Sequence, residues 1–432
     1  MPSSTFSKTI ATGVRQSAGF RRRIGYAARM KRLADKLAAS LRERKRLRSR
    51  VPLSIAIADR FAQLSVEAWR AATAGGSLFH SAEYQRAFER ARPPNIEPRY
   101  ALISDGDTPV AAVCIQIVTL DLTQLGDVQR RRALRKLGRR MRQRVLVCGN
   151  LLAFGLHGVH IAAGADRELA WQAVSEVVYR VRRAEKLAGK MAFVIMKDFD
   201  AAAKRDSAVL AKLSYGAVET EPNMVLAVDP TWRTHEDYIK SLASKFRSDI
   251  KSRVIKRCDD AGISVERLTE VAVEADTLQQ LYLQVHGNAT LRPFTLPADY
   301  WQVLLAMAGD GAALHVARLA GRVVGFIVTV KDGDTAFVYH VGFDRAVAAA
   351  GAPIYLRLLH ASLAQAIEFG CRRVSFGRTA LEPKARLGCV PEDTFVWVRH
   401  RHPLLNQLLQ PLLRLIEHEE APQMTPFKAP QN

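Results

Sequence analysis

The sequence predicts a mixed α/β fold built twice in tandem behind a basic N-terminal helix. Three observations lead there. Short runs with alternating apolar residues interleave with longer runs at helical spacing, so strands and helices alternate along the chain. The order of elements in residues 51–230 recurs in residues 231–420. The chain has 432 residues, 48% hydrophobic and 25% charged, enough for two cores.

Residues 1–50 form a basic lead, of which 1–27 read as disordered. From Ala28 to Arg50, Met30, Leu33, Leu37 and Leu41 recur among Lys and Arg, the pattern of a basic amphipathic helix. In the first half, Leu53–Ala58 reads as a strand, and Phe61–Ala72 and His80–Arg90 as helices, with Ser81 as a cap. Tyr100–Ser104 and Pro109–Leu120 flank the turn residues Asp105-Gly106-Asp107, a hairpin signal. Strand-like runs follow at Arg144–Cys148, Leu151–Gly155 and Gly158–Ala162. A helix at Arg167–Leu187 leads to a strand at Met191–Met196, a helix at Ala201–Leu213 and a strand at Met224–Val228.

The second half, 231–420, opens with a helical region at Trp232–Arg257. Ile263–Leu268 reads as a strand, and Val271–His286 and Pro297–Ala308 as helices. Leu314–Leu319, Val323–Val330 and Thr335–Phe343 are strands joined through Ala320-Gly321 and Asp332-Gly333. Pro353–Phe369 is a helix, Arg373–Phe376 and Thr394–Val398 are strands, and Pro403–Ile416 is an apolar helix. Residues 421–432 read as a disordered tail.

The net charge of +22 suits anionic partners. Anionic membrane surface is the expected partner of residues 28–50 and 130–144, since the second block lacks interleaved aromatics for stacking on bases. Nucleic acid is not favoured there. The five cysteines include no C-x-x-C pair, which argues against a disulfide framework or a zinc ribbon and for a reduced, cytoplasmic setting, peripheral on the inner membrane. No run approaches the roughly 18 apolar residues that span a bilayer. His157 with His160, and His400 with His402, lack carboxylate or thiol partners at metal-ligand spacing, so no metal is expected.

One stretch carries the chemistry. A strand ends at Gly342-Phe343, and the small-residue loop Val347–Pro353 opens onto a helix. Such a loop exposes unpaired backbone N–H groups at the positive end of the helix, a seat for phosphate. With "SLASKFRSDIKSRVIKR" at Ser241–Arg257, "VGFIVTVKDGDTAFVYHVGFD" at Val324–Asp344, "GAPIYLRLLHASLAQAIEFGCRRVSFGR" at Gly351–Arg378 and "EPKARLG" at Glu382–Gly388, residues from about 231 to 400 resemble the GNAT superfamily. More closely they resemble acetyltransferase-like proteins of the CelD type, related to the Fem aminoacyl transferases, which also carry two such folds in tandem. Two departures stand out: Ala348 replaces the usual Gln or Arg of the loop, and Pro383 replaces the Tyr before the late Lys.

The resemblance implies two tandem GNAT-like domains, the first degenerate, and an N- or O-acetyltransferase using acetyl-CoA or another acyl-CoA. The acceptor implied is an amine or hydroxyl of an envelope, polysaccharide or lipid-linked precursor. Val341, Gly342, Gly351, Ala352 and Tyr355 fall at the donor site. His340, Tyr339 and Asp344 are the catalytic candidates; strand alternation admits at most one of Tyr339 and His340 to the cleft, and an Asp at a strand end also commonly caps a turn. Lys245, Arg247 and Lys251 lie on the segment that serves the acceptor in the family, and Arg378 and Lys384 follow the strand that lines the cleft. Two other readings stay open: a non-catalytic membrane- or RNA-associated protein on a GNAT scaffold, and a tRNA-dependent aminoacyl transferase.

Overall fold

The computed structural model describes residues 51–121, 142–189, 191–288, 292–413 and 421–428. The basic lead, its helix at 28–50 and most of the basic block at 130–144 lie outside the described residues. Arg142 to Arg144, the end of that block, belong to a strand, not to a helix.

The strands of residues 52–432 form one continuous sheet. They are β1 (Ser54–Ala58), β2 (Ile96–Asp105), β3 (Thr108–Asp121), β4 (Arg142–Cys148), β5 (Val159–Ile161), β6 (Met191–Phe199), β7 (Gly216–Ala227), β8 (Ile263–Arg267), β9 (Ala312–Leu319), β10 (Arg322–Asp332), β11 (Thr335–Phe343), β12 (Arg373–Ser375) and β13 (Val390–His400). Their order is β1-β2-β3-β4-β6-β13-β7-β12-β11-β10-β9-β8, with β5 paired to β3. Exchanging β1–β4, β6 and β7 for β8–β11, β12 and β13 reads the same order backwards. The two halves are therefore related by an approximate two-fold, and they trade strands across it. β13 of the second half lies between β6 and β7 of the first, and β7 pairs with β12 of the second.

Local chemistry explains most element ends. Ser65 caps α1 (Val66–Ala72), Ser81 caps α2 (Ala82–Ala91) and Asp166 caps α3 (Arg167–Ala184), each accepting a backbone N–H. Ala320 and Gly321 both have positive φ, the backbone of a tight hairpin turn between β9 and β10. The helix expected over 201–213 is split into α4 (Ala201–Asp206) and α5 (Val209–Lys212). Ser207 Oγ turns back onto the Ala203 carbonyl at 2.7 Å and accepts Trp397 Nε1 at 2.9 Å. The strand expected at 151–155 is a turn. Leu151 N–H donates to Gln116 Oε1, Leu152 N–H to Asn150 Oδ1, and Lys197 Nζ to the Asn150 and Ala153 carbonyls, so side chains replace a ladder.

The helical region at 232–257 is broken into α6 (His235–Ser241), α7 (Ser244–Asp249), a π-helical turn (Ile250–Ile255) and α8 (Lys256–Asp260). The tail is anchored as far as Lys428: Leu242 bridges Phe427, and Ala243 N–H donates to the Pro426 carbonyl at 2.8 Å. Phe427 packs on Trp232 and on Gly388, where a Cβ would stand 2.4 Å from its ring.

Three apolar cores are seen among the described residues. One lies in the first half around Trp69 and Tyr100, and one mainly in the second around Leu358 and Leu363, with Met224 and Leu226 of β7. The third spans both, joining Phe79, Tyr84 and Phe88 to α9 (Ala275–His286), α10 (Tyr300–Ala308) and β11. Shared strands and a shared core make the halves one cooperative unit. Residues 52–230 expressed alone lack the strand between β6 and β7. They are expected to give no folded circular-dichroism signal, whereas the whole chain unfolds in denaturant with one transition seen by both fluorescence and circular dichroism.

Candidate functional site

β11 and β12 run parallel but pair only from Thr335↔Arg373 to Phe337↔Ser375. Beyond that the two strands part. A cavity of about 260 Å³ lies between them, lined among others by Tyr339, His340, Val341, Tyr355, Arg378 and Lys384. Pairs of strands that part in an open sheet are where α/β proteins bind ligands.

β11 carries a bulge here. Val328 of β10 faces His340 and Thr329 faces Val338, so Tyr339 is the extra residue. The bulge resets the alternation and turns Tyr339 and His340 to the same face. Both rings meet the Tyr300 ring, at 6.4 and 6.0 Å, and their centroids are 4.4 Å apart. The expectation that only one of them could reach the cleft is thereby corrected. Tyr339 Oη lies 2.7 Å from Tyr300 Oη and 3.4 Å from Tyr84 Oη of the first half. His340 is half-buried as a residue, but its Nε2 is sealed from solvent and has no partner. Burial pushes its pKa down to about 3, so the ring is neutral.

The cleft ends at the start of α12 (Ile354–Glu368). Pro353 stands at its N-cap and no side chain caps the helix. Gly351 has φ +100, and the Arg257 guanidinium from α8 lies against it; a Cβ there would stand 3.0 Å from Nη2. A helix start with no side-chain cap beside a guanidinium has the electrostatics that suit an anion. The corresponding helix of the first half, α3, differs in that the Asp166 carboxylate already occupies its N-terminus, accepting the Leu169 N–H at 3.0 Å. The corresponding strands β4 and β6 stay paired from Arg144 to Cys148.

Other sequence candidates fall elsewhere. Asp344 caps α11 (Arg345–Ala349) through Ala346 N–H at 2.9 Å and pairs with Arg322 at 3.4 Å, so its oxygens serve the backbone and not a substrate. The expected loop at 347–353 is thus partly helix, and Ala348 lies within it. Gly342 is not among the residues that line the cavity; it lets α9 approach, since a Cβ would stand 2.6 Å from Tyr282 N. Ala352 is buried in the second core, and the Tyr355 phenol is pushed up to about 12 by burial. Lys245 is exposed, Arg247 donates to the Leu242 carbonyl at 3.3 Å, and Lys251 pairs with Glu236 at 2.9 Å; none of the three lines the cavity.

Arg378 and Lys384 do line it. Arg378 forms an ion pair with Asp198 of β6 and stacks over Phe154 at 5.3 Å. Asp198 also pairs with Lys197, so a buried charged cluster from the first half holds one wall of the second-half cleft. Lys384, on α13 (Leu381–Arg386), donates to the Gly377 and Arg378 carbonyls at 3.1 and 2.6 Å. It ties down a turn in which Thr379 and Ala380 both have positive φ.

Sequence reading missed His286. This residue at the end of α9 stacks on Tyr282 at 5.0 Å, and its Nε2 is buried without a partner. It lines the cleft and also a second cavity of about 720 Å³ between the halves, whose walls include Asn95, Thr119, Arg142, Arg292 and Thr295. No local motif marks it. Only the packing of α9 across β11 brings it to the joint of the two cavities.

Residues 244–384 match the family model of the acetyltransferase (GNAT) domain, and this part of the chain is a GNAT acyltransferase-type domain. The first half repeats the strand order of the second. No curated protein matches the chain. Among solved structures, FemX is similar at 10% identity over 80% of this chain and 98% of that one, with a TM-score of 0.48. A tandem GNAT protein from the clavulanic acid biosynthesis pathway is similar at 14% identity, over 81% and 99%, with a TM-score of 0.49. The C-terminal domain of a putative lysylphosphatidylglycerol synthetase from Agrobacterium fabrum is similar at 13% identity, over 79% and 93%, with a TM-score of 0.46.

Burial pushes Lys384 down to about 8 from an ordinary 10.5. Between those values an unfolded chain holds the proton and the folded one does not, so this residue's contribution to stability rises with pH across the window. Denaturant midpoints of the parent chain and Lys384→Met, compared at about pH 7.5 and about pH 9.5, are expected to show the parent gaining relative to the variant at the higher pH.

Proposed function

We propose that the chain transfers an acyl group from acyl-CoA to an amine or hydroxyl of an envelope, polysaccharide or lipid-linked acceptor, with the donor bound in the second half. The observation that carries this reading is the parting of β11 from β12 beside the uncapped start of α12. A diphosphate fits there. The backbone turn at Gly351–Pro353 leaves the helix start open and the Arg257 guanidinium supplies positive charge. The edge of β11 from Val338 to Val341 faces the cleft without β12 as a partner and suits the amides of a pantetheine arm.

The acceptor enters through the 720 Å³ cavity, and its nucleophile reaches the cleft at His286. His286 accepts the proton of the attacking amine or hydroxyl at Nε2. Its pKa is lowered by burial, and it faces both cavities. His340, at about 3, is too weak a base to keep that proton. Lys384 donates to the oxyanion formed as the carbonyl is attacked, because its ammonium is already held by two backbone carbonyls at the cavity wall. The bond to the acceptor forms, the C–S bond breaks, and the free thiol leaves with the proton from His286.

The test is thiol release from a panel of acyl-CoA donors with candidate acceptors, alongside calorimetric titration with CoA. Release with at least one donor, and CoA binding weakened about tenfold or more by Arg257→Glu, are the expected results. Lys384→Met is expected to lower kcat by about 10²–10³-fold while CoA still binds. Neither binding nor release across the panel overturns the acyl-CoA reading.

A further inference from the structure

The helix after β13, α14 (Pro403–Leu413), is turned inside out. Among its described side chains, at 403–408, the buried one is the polar Asn406, whose Oδ1 accepts the His400 N–H at 2.7 Å and whose Nδ2 donates to the Ser214 carbonyl at 2.9 Å. The leucines among them face outward: Leu404 is 76% exposed, Leu405 50% and Leu408 63%. Leu404 and Leu408 are one turn apart and Leu405 lies beside them, so the three make one apolar stripe. Isolated exposed leucines are ordinary, but three side by side on a helix fixed by a polar anchor mark a contact surface.

The surroundings of the stripe are cationic. Leu405 edges a cavity of about 480 Å³ whose walls include Arg142, Arg401, His400 and His402 and, among the described residues, no carboxylate. Arg401 Nη2 lies 3.0 Å from His402 Nε2. Burial lowers the pKa of Arg182 of α3, and its like-charged neighbours Arg399 and Arg401 lower it further. Among the described residues, Arg182, Arg399 and Arg401 form no ion pair with a carboxylate. Arg182 stands over the ring of Tyr179, itself 42% exposed.

We propose that this face docks on an anionic phospholipid bilayer, with the α14 leucines entering the acyl boundary and the arginine-lined cavity receiving a lipid headgroup phosphate. An apolar stripe rimmed by cations, with an aromatic ring beside it, is the composition of an interfacial helix. A net charge of +22 adds long-range attraction to such a surface. The same charge argues against a second copy as the occupant, because two cationic faces repel. Docking here is centred on α14, shares with the basic segments at 28–50 and 130–144 only the end of the second one at Arg142, and does not depend on the transfer reaction.

The experiment is co-sedimentation of the full chain with vesicles of phosphatidylglycerol and phosphatidylcholine in about equal parts, against pure phosphatidylcholine, across a salt series. The double variant Leu404→Asp, Leu408→Asp changes only exposed residues, and an unchanged thermal transition checks its fold. The proposal expects binding to the anionic vesicles, little to the neutral ones, about a tenfold or greater loss in the leucine variant, and a smaller loss in Arg401→Gln. It is overturned if the parent chain does not sediment, or if the leucine variant sediments like the parent, which assigns binding to another segment. It is also overturned if light scattering finds a dimer that the leucine variant dissolves, or if the variant loses RNA binding in place of vesicle binding.

Discussion

The hydrogen bonding of β13 between β6 and β7 governs the rest of the molecule. Each half lacks one strand of its own sheet and receives it from the other. The exchange makes a single sheet of two repeats and fixes the distance between them. It also explains why a cleft formed by second-half strands has first-half walls. Phe154 packs on Gly377, where a Cβ would meet its ring at 2.6 Å, Asp198 holds Arg378, and Tyr84 reaches Tyr339. A side chain presented by a neighbouring domain across a loose joint could not be held so closely. Presented by a strand of the same sheet, it can.

The two-fold is broken where chemistry is proposed. The same helix position carries Asp166 in the first half and Pro353 in the second. A carboxylate already caps α3 and would repel a phosphate, whereas no side chain caps α12, at whose start only the Ile354 N–H has a backbone partner, the Ala352 carbonyl at 2.9 Å. The strands beside these helices follow suit, since β4 and β6 remain laddered where β11 and β12 separate. The stretch 149–157, which follows the first-half strand β4, turns across to the second half and lends it Phe154. One repeat has become the scaffold on which the other is open.

Much of the architecture was legible from the residues. Alternation and turn pairs located most strands of both halves, and helical spacing, with Ser81 as a cap, located most helices, although the helix expected over 61–72 begins only after Ser65. The tandem repeat could be read without any letter-by-letter similarity. What could not be read was non-local. Nothing in Val390–His400 says that it crosses to the other repeat, because a strand buried on both sides looks alike in either sheet. The bulge at Tyr339 has no signature in the run Phe337–Val341, yet it decides which side chains reach the cleft. Asp344 fits a base and a cap equally well by type, and its position one residue before a short helix decides for the cap. The basic run from Lys245 to Arg257 was singled out for its charge. Only its last member, at the end of a chain of broken helices, comes to Gly351, while Lys251 is neutralised by Glu236.

The account rests on the start of α12 being the seat of a diphosphate. A crystal structure of the chain with CoA tests that most directly. It should find the diphosphate within hydrogen-bond distance of the Arg257 guanidinium and of backbone N–H groups in the first turn of α12, with the pantetheine arm along Val338–Val341. A diphosphate bound at α3 or in the large cavity between the halves, with the start of α12 left to solvent, would contradict it.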